Sequence, residues 1–431
     1  MFRCAALTLL LTCLLSIPAM ADQMVTGTNN PLQDTKNVQA AVDKGGTVTL
    51  RGAFNFGHEG RVKITRGVRI IGQEGNGDPE TKITGGFWTF YSPLPVKGAP
   101  PAKKGPFIAI HHIHFEGAKG TPMHFPYVGG LDVRGCTVSD VVPQEINVKW
   151  QEGDTLLFQA GIVVGNRLDS RSKRIKRATQ GTIAIQDNTF YMDTRQPDRV
   201  AGHGVMVDWT WGATITVSDN IIDAASRNGI EVLDNVLGSK GNGSIKIDNN
   251  RIITPDEGIP YPHIYGPNGI VAGWYFNTEG GANFSRNNRI SLTGNRVEGR
   301  GEASTGMLLY ANDIVATCND IIMGGGSQAR GIVQTGSRGF FANNRIRGEA
   351  RYAIYCHPFE QLKAIGNTFA WTELNDFTGI KGHILLGGRV NVVIGTKPTI
   401  TDKGKGNRVV EAKPCALPEI DPEGDAWEPV E

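Results

Sequence analysis

His203, Asp208, Glu231 and Arg330 are the residues whose chemistry and spacing suit proton transfer. Asp208 and Glu231 could form a carboxylate pair, one acid and one base, for cleaving a glycosidic bond. Alternatively, a base drawn from His203, Arg227, Arg330 and Tyr310 could remove the proton beside a uronate carboxyl, with neighbouring cations stabilising the charge. The second scheme describes a lyase, or an epimerase if the proton returns on the other face. Either scheme needs residues distant in sequence to share one wall.

A repeated element could build that wall. A short apolar phrase returns around an asparagine: Asp187-Asn188-Thr189-Phe190, Asp219-Asn220-Ile221-Ile222, Asn249-Asn250-Arg251-Ile252, Gly294-Asn295-Arg296-Val297, Cys318-Asn319-Asp320-Ile321, Asn343-Asn344-Arg345-Ile346 and Gly366-Asn367-Thr368-Phe369. From Asn295 the steps to Asn319, Asn344 and Asn367 are 24, 25 and 23 residues. This period, with many glycines and no helical spacing, predicts one coil of a parallel β-solenoid per step. Asparagine suits the turn because it tolerates the left-handed backbone region and can bond amide to amide along the stack, forming a ladder. The longer steps, 32 residues from Asn188 to Asn220 and 45 from Asn250 to Asn295, mark loops inserted into ordinary coils. Loops of this kind are where function concentrates.

A second phrase aligns the coils: Gly161-Ile162, Gly204-Val205, Gly229-Ile230, Gly269-Ile270, Gly306-Met307, Gly331-Ile332 and Ala353-Ile354. Strand side chains alternate, so the apolar residue and the one two further on point inward, and the intervening positions face solvent. One outward column then holds Met206, Glu231, Val271, Leu308, Val333 and Tyr355, and the next holds Gly165, Asp208, Leu233, Gly273, Tyr310, Thr335 and His357. Residues just before the phrase add His203, Asn228, Asn268, Thr305, Arg330 and Tyr352. The same alignment places Trp209, Trp211, Trp274, Tyr275 and Phe276 at the rim, and His357-Pro358-Phe359 follows the plan. Aromatic rings there could stack on sugar rings, with Arg227, Asn228, Asn268, Tyr310, Tyr355 and His357 as polar or aromatic neighbours. Equally, the rings could plug the corner between sheet and loop.

Composition narrows the setting. Gly at 56 residues suits a turn-rich all-β chain, and 39% hydrophobic residues are ample for a core. A solenoid grows along one axis, so 431 residues can form one domain, here placed at 22–410. Residues 1–21 carry Arg3, an apolar run from Ala5 to Ile17, and Ala19-Met20-Ala21 before Asp22, the pattern of a cleaved secretory signal peptide. The mature chain is expected to start near Asp22 and to be periplasmic or secreted, with no membrane span. Without Arg3, 43 basic residues face 42 acidic ones, so global charge recruits no partner. Of six cysteines, Cys136, Cys318, Cys356 and Cys415 remain after the signal. They are too few for a disulfide framework, and Cys318 and Cys356 read as buried core residues. Arg167 to Arg177 is a basic loop, Pro93 to Pro106 an excursion off the coil, and 411–431 a Pro-rich acidic tail.

His111-His112-Ile113-His114 would put His112 and His114 on one strand face, yet two histidines without a third ligand make a weak metal site. No phosphate-cradling motif is present, and no basic face interleaved with aromatics suggests nucleic acid. No cofactor is expected; a calcium ion is compatible with such a fold, but no residue cluster indicates one.

Asn37 to Asp43 reads as a short amphipathic helix that caps the first coil, followed by Gly45-Gly46-Thr47-Val48-Thr49-Leu50 and Gly52-Ala53-Phe54. Together with Val68-Arg69-Ile70-Ile71-Gly72 and Thr81-Lys82-Ile83-Thr84-Gly85, this resembles the entry coils of the pectate-lyase-like superfamily of right-handed parallel β-helices. The resemblance implies that fold over most of residues 36 to 410, in a superfamily that includes lyases, hydrolases, epimerases and non-enzymes. Gly202-His203-Gly204 looks like a polygalacturonase motif, but no Asn-Thr-Asp and no upstream Asp-Asp pair accompanies it, and Arg174-Ile175-Lys176 precedes the histidine. Neither a pectate-lyase calcium cluster nor a mannuronan-epimerase Asp-Pro-His-Asp is present, so no catalytic residue transfers. The expectation is a monomeric, exported all-β right-handed parallel β-helix that binds a polysaccharide and acts on it, or a non-catalytic solenoid that binds envelope glycans.

Overall fold

The computed structural model describes residues 22–75, 79–95, 105–147, 155–165, 179–192, 200–235, 243–256, 267–273, 289–324, 326–356, 365–374, 384–387, 391–395 and 400–411. The signal-like segment, the Arg167 to Arg177 stretch, Trp274, Tyr275, Phe276, His357 to Phe359 and the acidic tail beyond Glu411 lie outside these residues.

Each coil passes through three sheets in order, as in Thr182–Gln186 (sheet A), Thr189–Tyr191 (sheet B) and Val200–Asp208 (sheet C). Among the described residues sheet A has 14 strands, sheet C 13 and sheet B 11, and coil-to-coil pairing is parallel. This is a right-handed parallel β-helix. Apolar residues stack on apolar residues from coil to coil: Ile183, Ile215, Ile245 and Ile290 in sheet A, Phe190, Ile222, Ile252 and Val297 in sheet B, and Val205, Ile230, Ile270 and Met307 in sheet C. All are buried in one continuous core, each contributing about 1.5–3 kcal/mol.

From Arg134 onward the A-to-B corner is two residues long, as at Asp187-Asn188. The left-handed position is the first of the two, with φ of 53° at Asp187, 57° at Asp219, 55° at Asn249, 67° at Gly294, 56° at Cys318 and 55° at Asn343. The ladder asparagine is therefore not the left-handed residue, contrary to the expectation. It is selected instead for its amide, which lies buried and donates to the next Oδ1 at 3.0 Å (Asn188 to Asn220), 2.9 Å (Asn220 to Asn250), 2.9 Å (Asn250 to Asn295), 3.0 Å (Asn295 to Asn319) and 2.8 Å (Asn319 to Asn344). Asn367 does not continue this ladder. Thr368–Ala370 pairs with Phe340–Ala342 in sheet A, so Asn367 precedes its strand and begins a second ladder through Asn391 to Asn407. The 23-residue step joins two different corners.

Cys318, read as a core residue, is only half-buried because it occupies the left-handed corner position; Cys356 and Cys136 are buried. His112 also stands at an A-to-B corner, with φ 54°, so Phe107–His111 closes sheet A and Ile113–Glu116 opens sheet B. His112 and His114 thus do not share a strand face. Among the described residues no three His, Cys, Asp or Glu side chains group as a metal-ligand set.

The capping helix runs over Pro31–Val42, starting earlier than read, because Asn30 accepts hydrogen bonds from the Leu32 and Gln33 amides and Pro31 sits at the first turn. Val38, Ala41 and Val42 are buried against the first coil as expected, and buried Asp34 ties the helix down by accepting from Thr28 and the Asn55 amide.

Candidate functional site on the outer face of sheet C

Seven successive strands carry the candidate residues: Thr155–Gly165, Val200–Asp208, Asn228–Leu233, Asn268–Gly273, Thr305–Tyr310, Arg330–Gln334 and Tyr352–Cys356. Their register sets His203 beside Asn228, Asn268, Thr305, Arg330 and Tyr352 in turn, and Met206 beside Glu231, Val271, Leu308, Val333 and Tyr355. Asp208 lies in the next column with Leu233, Gly273 and Tyr310.

Strict alternation would put His203 on the same side as inward-facing Val205. The glycine between them breaks the parity. Pairing skips Gly204 and Gly229, and a Cβ on Gly229 would lie 2.4 Å from Ile252 Cγ2 in sheet B, as one on Gly204 would lie 2.5 Å from Ile222 Cγ2. These glycines point into the core corner, so two consecutive residues face inward and Asn228 and Glu231, three apart, meet on the outer face. The glycine column is a steric requirement, since any side chain would strike sheet B.

There, Asn268 Nδ2 donates to Asn228 Oδ1 at 2.7 Å, and Asn228 Nδ2 donates to Glu231 Oε2. His203 Nδ1 stands 3.7 Å from the same oxygen, and the Phe158 ring packs 5.6 Å from the imidazole. The His203 and Glu231 side chains are 7% and 4% exposed. A carboxylate held by an amide donor, beside an imidazole in a low-dielectric setting, is equipped to exchange a proton.

The structure brings His203, Asn228, Glu231 and Asn268 together. Asp208 is diagonal to Glu231, one strand and two residues away, and is buried. Arg330 does not join the cluster: three strand spacings, about 14 Å, separate its strand from that of Glu231, and its guanidinium lies 5.5 Å from the Tyr355 ring centroid. Tyr310 is buried in an apolar cluster with Leu233, Val271, Leu308 and Val333, and half-buried Tyr355 packs against it. Trp209 and Trp211 are half-buried at the C-to-A corner, where the Trp209 amide donates to Leu233 O and the Trp211 amide to Thr179 O. Arg227 is half-buried and bonds through its backbone to Gly202 and Asn268. Trp274, Tyr275 and His357 fall outside the described residues.

The outward columns do not face solvent, as alternation had implied. Glu231, Asp208, Asn228 and Asn268 are each 3% exposed or less. The signal for this was in the same columns: Val163, Met206, Val271, Leu308 and Val333 are apolar, and a water-facing wall would not repeat them. The polar cluster sits between two apolar patches, Phe158, Ala160, Val163, Ala201 and Met206 on one side and the Leu233 group on the other.

No protein-family model and no curated protein matches the sequence. Among solved structures the chain is similar to the A-module of the Azotobacter vinelandii mannuronan C-5 epimerase AlgE6, at 13% identity and a TM-score of 0.53 over 88% of this chain and 96% of that module. It is also similar to a mutant tailspike protein of E. coli bacteriophage HK620 (12% identity, 90% and 75% of the two chains, TM-score 0.47). A third likeness is to PfbA, a surface adhesin of Streptococcus pneumoniae (11%, 90% and 90%, TM-score 0.43). The first likeness, at this identity, defines the fold class: a parallel β-helix.

Proposed function

We propose that this is an exported protein, periplasmic or secreted, that acts on an acidic polysaccharide at the outer face of sheet C, as a lyase, hydrolase or epimerase. His203 and Glu231 exchange the proton, Asn228, itself held by Asn268, positions the carboxylate, and Asp208 supplies a second carboxylate along the same face. The observation that carries this reading is the His203–Glu231–Asn228–Asn268 cluster, assembled by a glycine bend between two apolar patches of the same sheet. Chain length supports it too: from Arg134 onward the A-to-B corners stay at two residues, while the insertions fall on either side of sheet C, as between Ile253 and Asn268 before it and between Gly165 and Thr182 after it. The basic stretch from Arg167 to Arg177 favours an acidic glycan. The likeness to an epimerase module supports the architecture alone.

The test is incubation of the full chain with a panel of uronate polymers, following unsaturated ends, reducing ends and C5 configuration. We expect one of the three products, reduced about 10²- to 10⁴-fold in Glu231→Gln. The burial of Glu231 and Asp208 favours a second reading, a non-catalytic glycan-binding solenoid. No product from any polymer, with glycan affinity unchanged in Asp208→Asn and Glu231→Gln, would establish that one.

A further inference from the structure

A separate cluster stands at the N-terminal end of the same face. Gly85 and Gly86, with φ of 77° and 92°, turn the chain out of sheet B, and a Cβ on Gly85 would lie 2.3 Å from the Gly57 carbonyl oxygen. Trp88 follows with φ 50°, a region that bulky residues seldom enter. Its Nε1 donates to Gln144 Oε1 at 3.1 Å. Tyr91 pairs with Lys63 and His124, and His124 with Val163, at the head of the column that leads to Met206 and Glu231. Ring centroids are 5.0 Å apart for Phe87 and Trp88, 5.3 Å for Trp88 and Tyr91, and 4.2 Å for Trp88 and His124. His124 is buried, whereas Phe87, Trp88 and Tyr91 each keep part of their surface in solvent.

The Arg61 guanidinium lies over all three of these rings, 4.6, 4.8 and 5.4 Å from the centroids of Phe87, Trp88 and Tyr91. Its Nε donates to Phe87 O at 2.8 Å, which anchors the guanidinium through that nitrogen. Lys119 Nζ stands 5.5 Å from the Phe87 ring, near Glu59. Among the described residues no carboxylate is within ion-pair distance of Arg61. Partial burial lowers its pKa from the ordinary guanidinium value, so an anion would relieve a real desolvation cost.

We propose that Arg61, Phe87, Trp88 and Tyr91 form a binding site for a uronate unit of a polysaccharide, distinct from the His203–Glu231 cluster. A planar guanidinium matches a carboxylate through two parallel hydrogen bonds, and the exposed rings match the C–H face of a pyranose. A uronate carries both features on one ring. A phosphate offers no apolar face, and a neutral sugar offers no charge. Four strand spacings, about 19 Å, separate the Tyr91 strand from that of Glu231, and the Phe158–Met206 patch lies between, so this site binds without taking part in chemistry. The inference rests on the reading that the ligand is an acidic glycan.

The experiment titrates the full chain with oligogalacturonate, oligomannuronate and methyl-esterified oligogalacturonate by calorimetry, with thermal midpoints to verify folding. Arg61→Gln should weaken binding of at least one acid oligomer about 10- to 100-fold and leave the ester unaffected, while Trp88→Ala weakens both forms. If Arg61→Gln does not fold, Arg61→Lys, which keeps the charge and loses the planar fork, should bind the acid several-fold more weakly. Equal affinity for acid and ester in the unaltered protein, or folded Arg61 and Trp88 variants that bind like it, overturns the site. Product assays on the unaltered chain separate the two readings: Arg61-dependent binding without product from any polymer sinks the catalytic reading and leaves this site standing. Product formation with indifferent Arg61 variants does the reverse.

Discussion

Asn228 joins the two halves of the candidate site, accepting from Asn268 and donating to Glu231. Replacing it with alanine removes the amide that orients the carboxylate and strands the Asn268 donor in a buried setting. Asn228→Ala should cost about 1–3 kcal/mol of stability and lower turnover of the uronate substrate more than its binding. Thermal midpoints and a kcat-against-KM comparison check this; unchanged kcat would remove Asn228 from the site. The residue identities here were legible in the sequence, because Glu231 is unusual in a column otherwise filled by Met206, Val271, Leu308 and Val333, and His203, Asn228 and Asn268 share the polar column beside it. Their mutual contact was not, since i and i+3 residues in an unbroken strand lie on opposite faces.

At the scale of the element, the A-to-B corner separates two demands that the repeated Asn phrase blurred together. Its first position needs a residue that accepts positive φ, and its second needs a buried amide. Asn250→Ala should therefore cost about 2–4 kcal/mol, because the Val217 carbonyl and the Asn220 amide groups lose their partner. Cys318→Gly, at φ 56°, should instead stabilise by about 1 kcal/mol. Midpoints of chemical denaturation distinguish the two, and a destabilised Cys318→Gly would refute the assignment of roles. Asn367 shows why a period alone misleads: the phrase Gly-Asn-Thr-Phe recurs at another corner, and only strand pairing reveals which sheet it enters.

Stacking whole coils brings like residues into register, and at one edge this is unfavourable. Asp187 is raised above the ordinary carboxylate pKa by burial first and then by Asp219, and Asp248 by burial first, with Asp219 adding to it. A raised folded pKa means that the folded chain binds protons more tightly than the unfolded one, so this contribution is fully present below the unfolded value and is lost as pH rises through the folded one. Asp187→Asn and Asp248→Asn should raise the thermal midpoint at neutral pH, with the gain shrinking below about pH 4 and, for the Coulombic part, in high salt. A gain that grows on acidification would reverse the sign and refute it.

Alternation of apolar and polar residues, with the spacing of the glycine phrase, determined by itself that the chain coils, which side chains of sheet C enter the core and which of its strands lie side by side. Those are consequences of local backbone geometry and of burying one face. Tertiary structure alone decided that the opposite face of sheet C is also withdrawn from water, that Arg330 stands apart from Glu231, and that Arg61 reaches three aromatic rings. Each of these depends on how far the stack carries a residue and on what packs against it, distances that no one-dimensional pattern encodes.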